Sequence, residues 1–206
     1  MLQAYVWRRY WRRFIRNKIT YFLNVEKFVL NSKTNFLIMC PIPPPAKVHL
    51  VAEEMTSYAR SLPRYSKQQA LTQGLLLTAF FADRMLLVEL IRKGIPTSLF
   101  LTIKEMAPFS DEEWSDFLDI SLKSLQRYKK EPDYLFKSIH SEKIIELAEV
   151  TALGLEVFDT SEDFQAWLNA ASPALGGKMP LELLKDSYGQ ELVIQELHRI
   201  DQGIFV

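Results

Sequence analysis

The sequence has few of the residues that cross-link, break or extend a chain. Its single cysteine, Cys40, among 206 residues excludes an internal disulfide framework and is typical of a reducing compartment. Seven glycines and ten prolines are too few for a disordered or fibrous chain. We therefore expect a globular, cytoplasmic protein with one or two modest cores.

The sequence also lacks a long apolar run. Its most apolar stretch, residues 74–91 (GLLLTAFFADRMLLVELI), is interrupted by Asp83 and Arg84. A membrane-spanning helix needs about 18–20 largely uninterrupted apolar residues. The N-terminus has no continuous apolar segment followed by a small-residue cleavage site, so neither a membrane span nor a signal peptide is predicted.

Positive charge is concentrated at the N-terminus, although the net charge of the chain is zero. Residues 1–38 contain eight Lys or Arg and one Glu, whereas residues 39–206 contain 17 basic and 24 acidic residues. Aromatic side chains are interleaved with the basic ones, which is typical of an arm that binds RNA, DNA or an anionic membrane. Alternatively, Met39 is the natural start and residues 1–38 are a mis-assigned extension. The prolines that follow predict an extended linker over residues 39–65.

The remaining sequence has helical periodicity, and no stretch alternates at period two for long enough to predict a strand, so we expect an all-α fold. A capping box at Ser66–Gln69 predicts the start of a helix that ends near Gly94. Further helices are predicted from Pro96 to about Met106, from Ser138 to Val157, and after Thr160. The helical sequence predicts two domains, over residues 66–157 and 158–206.

Two short helices joined by a tight turn are predicted between residues 110 and 130. Ser110 caps the first helix, Asp119-Ile120 forms the connection, and Ser121 caps the second helix. This layout indicates a helix-turn-helix motif, although a plain helical pair with a solvated charged face would give the same pattern. The candidate DNA-binding residues of the second helix are Ser121, Lys123, Ser124, Gln126, Arg127, Lys129 and Lys130. We expect Lys129 and Lys130 to contact phosphates, which position a protein on DNA rather than specify a sequence.

Signals for catalysis are absent from the sequence. The stretch LGGKM fails as a phosphate-binding loop because Ser172 occupies the first glycine position and Met179 follows the lysine. Three widely spaced histidines and one cysteine do not form a zinc motif. The sequence therefore predicts a non-enzyme without a metal or cofactor.

The C-terminal third contains PALGG (Pro173–Gly177), PLELL (Pro180–Leu184) and RIDQGIF (Arg199–Phe205). In this order, after Trp167, these segments resemble the C-terminal toxin-binding domain of the Xre/MbcA/ParS antitoxins, which are partners of RES-domain toxins in type II toxin–antitoxin systems. RKGIP (Arg92–Pro96) and DISLKSLQRYKK (Asp119–Lys130) resemble the family's helix-turn-helix domain. The resemblance spans roughly residues 85–206, with Met179 standing where the family often has threonine. Its structural motif comprises Trp167, Pro173, Leu175, Gly176, Gly177, Pro180, Leu183 and Leu184.

The last predicted helix has an apolar stripe of Val193, Leu197 and Ile200, a capping box formed by Ser187 and Gln190, and a stop at Gly203. The resemblance implies that the following tail blocks the NAD-handling pocket of a RES-domain toxin that depletes NAD. The implied toxin-binding residues are Arg199, Gln202, Gly203, Ile204, Phe205 and Val206.

The resemblance also implies a homodimer that binds its own promoter and represses transcription. The alternative is a stand-alone transcription regulator without a toxin partner, whose C-terminal domain only dimerises.

Overall fold

The computed structural model describes residues 46–62, 77–131, 133–158 and 160–204, and within these ranges the protein is all-α, as predicted. Two isolated β-bridges, Pro96 to Leu135 and Ser172 to Lys178, are the only extended pairings in the described residues. No helix in these ranges is long and apolar enough to cross a membrane. The described helices are α1 (Ala46–Ala59), α2 (Leu77–Ala82), α3 (Arg84–Lys93), α4 (Thr97–Met106), α5 (Asp111–Phe117), α6 (Leu122–Tyr128), α7 (Ser138–Val157), α8 (Ser161–Leu168), α9 (Pro180–Leu183) and α10 (Ser187–Asp201).

Helix α1 lies where the sequence predicted a linker, so that prediction is wrong for residues 46–59. The prolines end at Pro45, and the apolar residues beyond them recur at helical spacing. Val51, Met55 and Ala59 are completely buried, because α1 packs against α2 and α4. The Tyr58 hydroxyl also donates a hydrogen bond of 2.6 Å to the Gly94 carbonyl.

The helix predicted from Ser66 to Gly94 is interrupted. Its capping box at Ser66–Gln69 lies outside the described residues, and the described part consists of α2 and α3. Asp83 separates them and caps α3, since its carboxylate accepts a hydrogen bond of 3.1 Å from the Leu86 N–H. Gly94 ends α3 with φ of 94°, a value that favours glycine, as the sequence predicted.

An aromatic cluster forms the core around α4 and α5. The Phe100 ring lies 5.2 Å from Trp114 and 4.9 Å from Phe136 between ring centroids. Buried Ser141 joins two loops to this core. Its hydroxyl donates to the Phe136 carbonyl at 3.0 Å and accepts from the Ile95 N–H at 2.9 Å. Helix α5 therefore packs through Trp114 against a core whose loops are held by Ser141.

Helix α7 is the common support of the two predicted domains. It contacts α2, α3 and α4 before it in the chain and α8 and α10 after it. Ile144, Leu147, Val150 and Thr151 are completely buried along it. The predicted boundary at residues 157 and 158 falls at the end of this shared helix, and the domain division itself stays a prediction.

Candidate functional site

The first candidate surface is the helix pair α5–α6. The Ser110 hydroxyl accepts a hydrogen bond of 3.1 Å from the Glu113 N–H, and the Glu113 carboxylate accepts one of 2.7 Å from the Ser110 N–H. This reciprocal pair is a capping box, which fixes the start of α5. Ser121 caps α6 by accepting from the Ser124 N–H at 3.1 Å. Both caps agree with the sequence prediction.

The turn between α5 and α6 contains no glycine, and Asp119 takes its place. Asp119 has φ of 51°, in the left-handed region that aspartate tolerates better than most residues. Its N–H donates to the Asp116 carbonyl at 3.2 Å, and the Ile120 N–H donates to the Ser115 carbonyl at 3.0 Å. These two bonds form a Schellman motif, which ends α5 and redirects the chain into α6.

Four of the seven predicted DNA-binding residues lie within α6, and three of these four, Lys123, Gln126 and Arg127, are exposed. Leu125 anchors the helix and is completely buried. The Arg127 guanidinium lies 5.0 Å from the Tyr128 ring centroid and 4.0 Å from the Glu131 carboxylate. Ser124 and Lys129 are half-buried, whereas the exposed members of the set are Ser121, Lys123, Gln126, Arg127 and Lys130.

Lys129 differs from Arg127 because its ion pair is shorter and less exposed to solvent. Its Nζ lies 2.8 Å from the Asp111 carboxylate, and Lys104 Nζ lies 2.8 Å from the other oxygen of that group. A hydrogen bond from Lys104, and secondarily one from Lys129, hold the pKa of Asp111 below its ordinary value. A phosphate would have to compete with this carboxylate for Lys129, so we expect Lys129 to support the motif structurally.

The second candidate surface is built by the segment from α8 to α10. Trp167 of α8 is buried, and its ring centroid lies 5.6 Å from that of Phe158 and 6.2 Å from that of Phe164. Gly176 and Gly177 have φ of 67° and 77°, so the turn needs glycine at both positions. Pro180 is the first residue of α9, as predicted. In this motif Pro173, Gly176 and Gly177 are exposed, Leu183 is half-buried, and Leu175, Pro180 and Leu184 are buried.

The capping box predicted at Ser187 and Gln190 is wrong. Asp186 precedes α10 and makes no side-chain capping bond. The Ser187 hydroxyl instead donates to the Glu146 carboxylate at 2.8 Å, and the Gln190 amide donates to the Glu146 carbonyl at 3.0 Å. Lys143 Nζ lies 2.7 Å from the same carboxylate. Both side chains therefore join α10 to α7, a contact that short-range sequence patterns do not show.

The C-terminal end of α10 is a second Schellman motif. The Gly203 N–H donates to the Ile200 carbonyl at 2.9 Å, and the Ile204 N–H donates to the Arg199 carbonyl at 2.8 Å. Gly203 has φ of 73°, so the predicted stop at this glycine is confirmed. Ile204 is 52% exposed beyond this turn. Phe205 and Val206 lie outside the described residues.

Arg199 is paired with a buried carboxylate that the sequence analysis missed. Its Nη2 lies 2.5 Å from Glu196 Oε2, and the side chain of Glu196 is 5% exposed against 38% for Arg199. Burial raises the pKa of Glu196, and the charge of Arg199 opposes that rise. The pair restricts where the Arg199 guanidinium can point. The signal available in the sequence was that Glu196 and Arg199 are three residues apart, a spacing that allows an ion pair along a helix.

The chain matches two family models, and their order along the chain is the order predicted for the two domains. Residues 86–149 match the antitoxin Xre-like helix-turn-helix domain, and residues 153–203 match the antitoxin Xre/MbcA/ParS C-terminal toxin-binding domain. One chain of the crystal structure of the M. tuberculosis MbcT–MbcA toxin–antitoxin complex is 25% identical, with a TM-score of 0.44, over 53% of this chain and 96% of that chain. No curated protein matches the chain.

A helix-turn-helix domain followed by a helical toxin-binding domain defines a class, the two-domain antitoxins. The two matched segments together span more than half of the chain and meet within α7. The chain belongs to the Xre/MbcA/ParS antitoxin family.

Proposed function

We propose that this protein is a non-catalytic, cytoplasmic antitoxin that neutralises a RES-domain toxin by direct binding. The toxin-binding residues would be Arg199 and the segment from Gln202 to Val206. Because toxins of this type deplete NAD, a tail lodged in the pocket that handles NAD would protect the cell. The proposal rests on the resemblance of the C-terminal segments and on the toxin-binding domain matched at residues 153–203.

The exposed end of α10 carries this proposal. The Schellman motif at Gly203 turns the chain away from the helix axis, and Ile204 is 52% exposed just beyond it. Ile204, Phe205 and Val206 are all apolar. An exposed Ile204 at the end of the matched toxin-binding domain, followed in the sequence by two further apolar residues, is typical of a protein-interaction site.

We expect tail variants to lose neutralisation without losing the fold. The variants are a chain without residues 203–206 and Ile204→Asp, which keeps Gly203 and its turn. Each would be expressed with the RES-domain toxin that we expect the adjacent reading frame to encode, and cell growth and NAD content would be measured. We expect toxicity to return and the unfolding temperature to stay close to that of the wild type. Unchanged rescue by both variants would show that the tail is not the inhibitory element.

Ile139→Asp is the matched control. Ile139 is 70% exposed and lies at the start of α7, in the helix-turn-helix domain rather than the toxin-binding domain. This variant introduces the same charge at another exposed apolar position, so it should rescue growth like the wild type.

We also propose that a homodimer binds its own promoter through α6. The exposed side chains of Lys123, Gln126, Arg127 and Lys130 support this, because a basic and polar helix face is what phosphates and base edges require. Lys130→Ala should weaken binding to the upstream DNA by a similar factor for all sequences and lower the salt slope by about one. Electrophoretic mobility shifts at several salt concentrations would test this. Equal slopes for variant and wild type would remove Lys130 from the interface.

The basic arm, residues 1–38, lies outside the described residues, so its proposed roles in binding nucleic acid or membrane stay predictions.

A further inference from the structure

Helix α10 has an outward face that the described part of the chain leaves exposed. Tyr188, Leu192, Gln195 and Arg199 follow one another at i, i+4, i+7 and i+11, which places them in one row along the helix. Tyr188 is 86% exposed and Leu192 48% exposed. We call this row the α10 outer face. It leads directly to the exposed Ile204 after the helix.

The opposite side of α10 already supplies what the fold needs. Val193 and Leu197 are completely buried and Ile200 is 6% exposed, and this side packs against α7. Gly189 lets α10 approach α9, since a Cβ there would lie 2.2 Å from the Leu183 carbonyl oxygen. The α10 outer face therefore contributes little to the core. A single exposed apolar residue on such a face would be ordinary, but this face has two together with an arginine. An aromatic and an aliphatic residue one turn apart, leading to an arginine, form the composition that protein interfaces favour.

We propose that the α10 outer face is the surface to which the toxin docks, and that it supplies most of the affinity while the tail supplies the inhibition. This inference rests on the proposed antitoxin function. Tyr188 and Leu192 would fill an apolar depression of the toxin. Arg199, held in place by the buried Glu196 carboxylate 2.5 Å away, would meet an acidic or carbonyl group.

Two observations favour the toxin over a second copy of this chain. The α10 outer face lies entirely within residues 153–203, the segment matched by the toxin-binding domain. The face is also narrow, since only two of its side chains are apolar. By itself it is too small for a stable dimer, which buries about 800 Å² on each partner. A toxin would cover this face and the adjoining tail together, and so would obtain a larger interface.

The test compares binding with inhibition for each surface. The probe is the purified RES-domain toxin that we expect the adjacent reading frame to encode, and the full-length antitoxin variants are Tyr188→Ala, Leu192→Arg and Ile204→Asp. Affinity would be measured by biolayer interferometry, inhibition by NAD consumption, and the fold by circular dichroism and thermal unfolding. Ile139→Arg is the control for Leu192→Arg, because it places the same charge on another exposed aliphatic residue, in α7.

We expect Tyr188→Ala and Leu192→Arg each to weaken binding by about tenfold or more, and Ile139→Arg to change it by less than about twofold. Ile204→Asp should lose inhibition by a larger factor than it loses affinity, because the inference assigns the tail chiefly to inhibition. Binding of both α10 variants within about twofold of the wild type would overturn the inference while leaving the antitoxin function intact. So would dissociation of an antitoxin dimer by Leu192→Arg with unchanged toxin affinity, because a second copy would then be the occupant. A wild-type chain that does not bind the toxin would overturn the proposed function itself.

Discussion

At the scale of single residues, Asp111 connects three parts of the helix-turn-helix domain. Asp111 is the first residue of α5, and its carboxylate pairs with Lys104 of α4 and with Lys129 after α6, each at 2.8 Å. Its side chain is 26% exposed, so water screens these pairs only in part. The same carboxylate also lies at the N-terminus of α5, where a negative charge is favourable.

Asp111→Asn should lower the free energy of unfolding at pH 7 by about 1 kcal/mol. The two lysines depress the pKa of Asp111 in the folded state. Its contribution is therefore fully present above its unfolded pKa of about 3.9 and is lost as the pH falls through the lower folded value. The stability difference between wild type and variant should shrink below about pH 4. Urea unfolding at several pH values would measure it.

Glu112→Gln is the control for this experiment, because it removes a carboxylate from the same turn at an exposed position. If the two variants lose the same stability with the same pH dependence, the lysine pairs contribute nothing specific.

At the scale of helices, contacts between elements override local preference at Gly189. Glycine inside a helix is less favourable than alanine by about 1 kcal/mol, so helix propensity alone predicts a benefit from Gly189→Ala. The fold opposes it, because a Cβ at this position would lie 2.2 Å from the Leu183 carbonyl oxygen and 3.1 Å from Leu183 Cα. These are backbone atoms of α9 and cannot move aside as a flexible side chain could.

Gly189→Ala should therefore destabilise the protein by about 2 kcal/mol or more and reduce toxin binding through displacement of α9 and α10. Thermal and urea unfolding would measure the loss. Gly203→Ala is a useful comparison, since its Cβ would meet nothing within 4 Å although φ is 73°; it should cost about 1 kcal/mol through backbone conformation alone. A Gly189→Ala protein as stable as the wild type would show that α9 and α10 pack less closely.

At the scale of the whole molecule, the folded unit is larger than the two matched domains. The helix-turn-helix match begins at residue 86, yet α1 buries Val51, Met55 and Ala59 completely against neighbours that include α4. Lys93 of α3 lies 4.3 Å from the centroid of the Tyr58 ring in α1. Residues 46–59 therefore belong to the helix-turn-helix core in this protein.

A chain that begins at residue 43 should keep the fold of residues 46–204, whereas one that begins at residue 63 should lose much of its stability. Removing α1 exposes the apolar surfaces of α2 and α4 that it covers. The free energy of unfolding should fall by an amount on the order of 5 kcal/mol. Circular dichroism and urea unfolding of the two truncated chains would compare them. Equal stability would show that α1 is dispensable for the core.

The sequence by itself determined the features that depend on neighbours a few residues apart. These include the all-α fold, the caps at Ser110 and Ser121, and the stops at Gly94 and Gly203, because a capping bond or a left-handed residue is a local property. Its ordered motifs were also sufficient to identify the family. The predicted roles in toxin and DNA binding stay predictions.

Only the tertiary structure decided the features that depend on residues far apart in the chain. It placed Ser187 and Gln190 on Glu146 instead of in a capping box, it folded α1 onto α4, and it engaged Lys129 with Asp111. It also decided which side of α10 is buried and which side, with Tyr188 and Leu192, faces outward. The physical reason is that burial and ion pairing across helices follow from packing, which no short segment specifies alone.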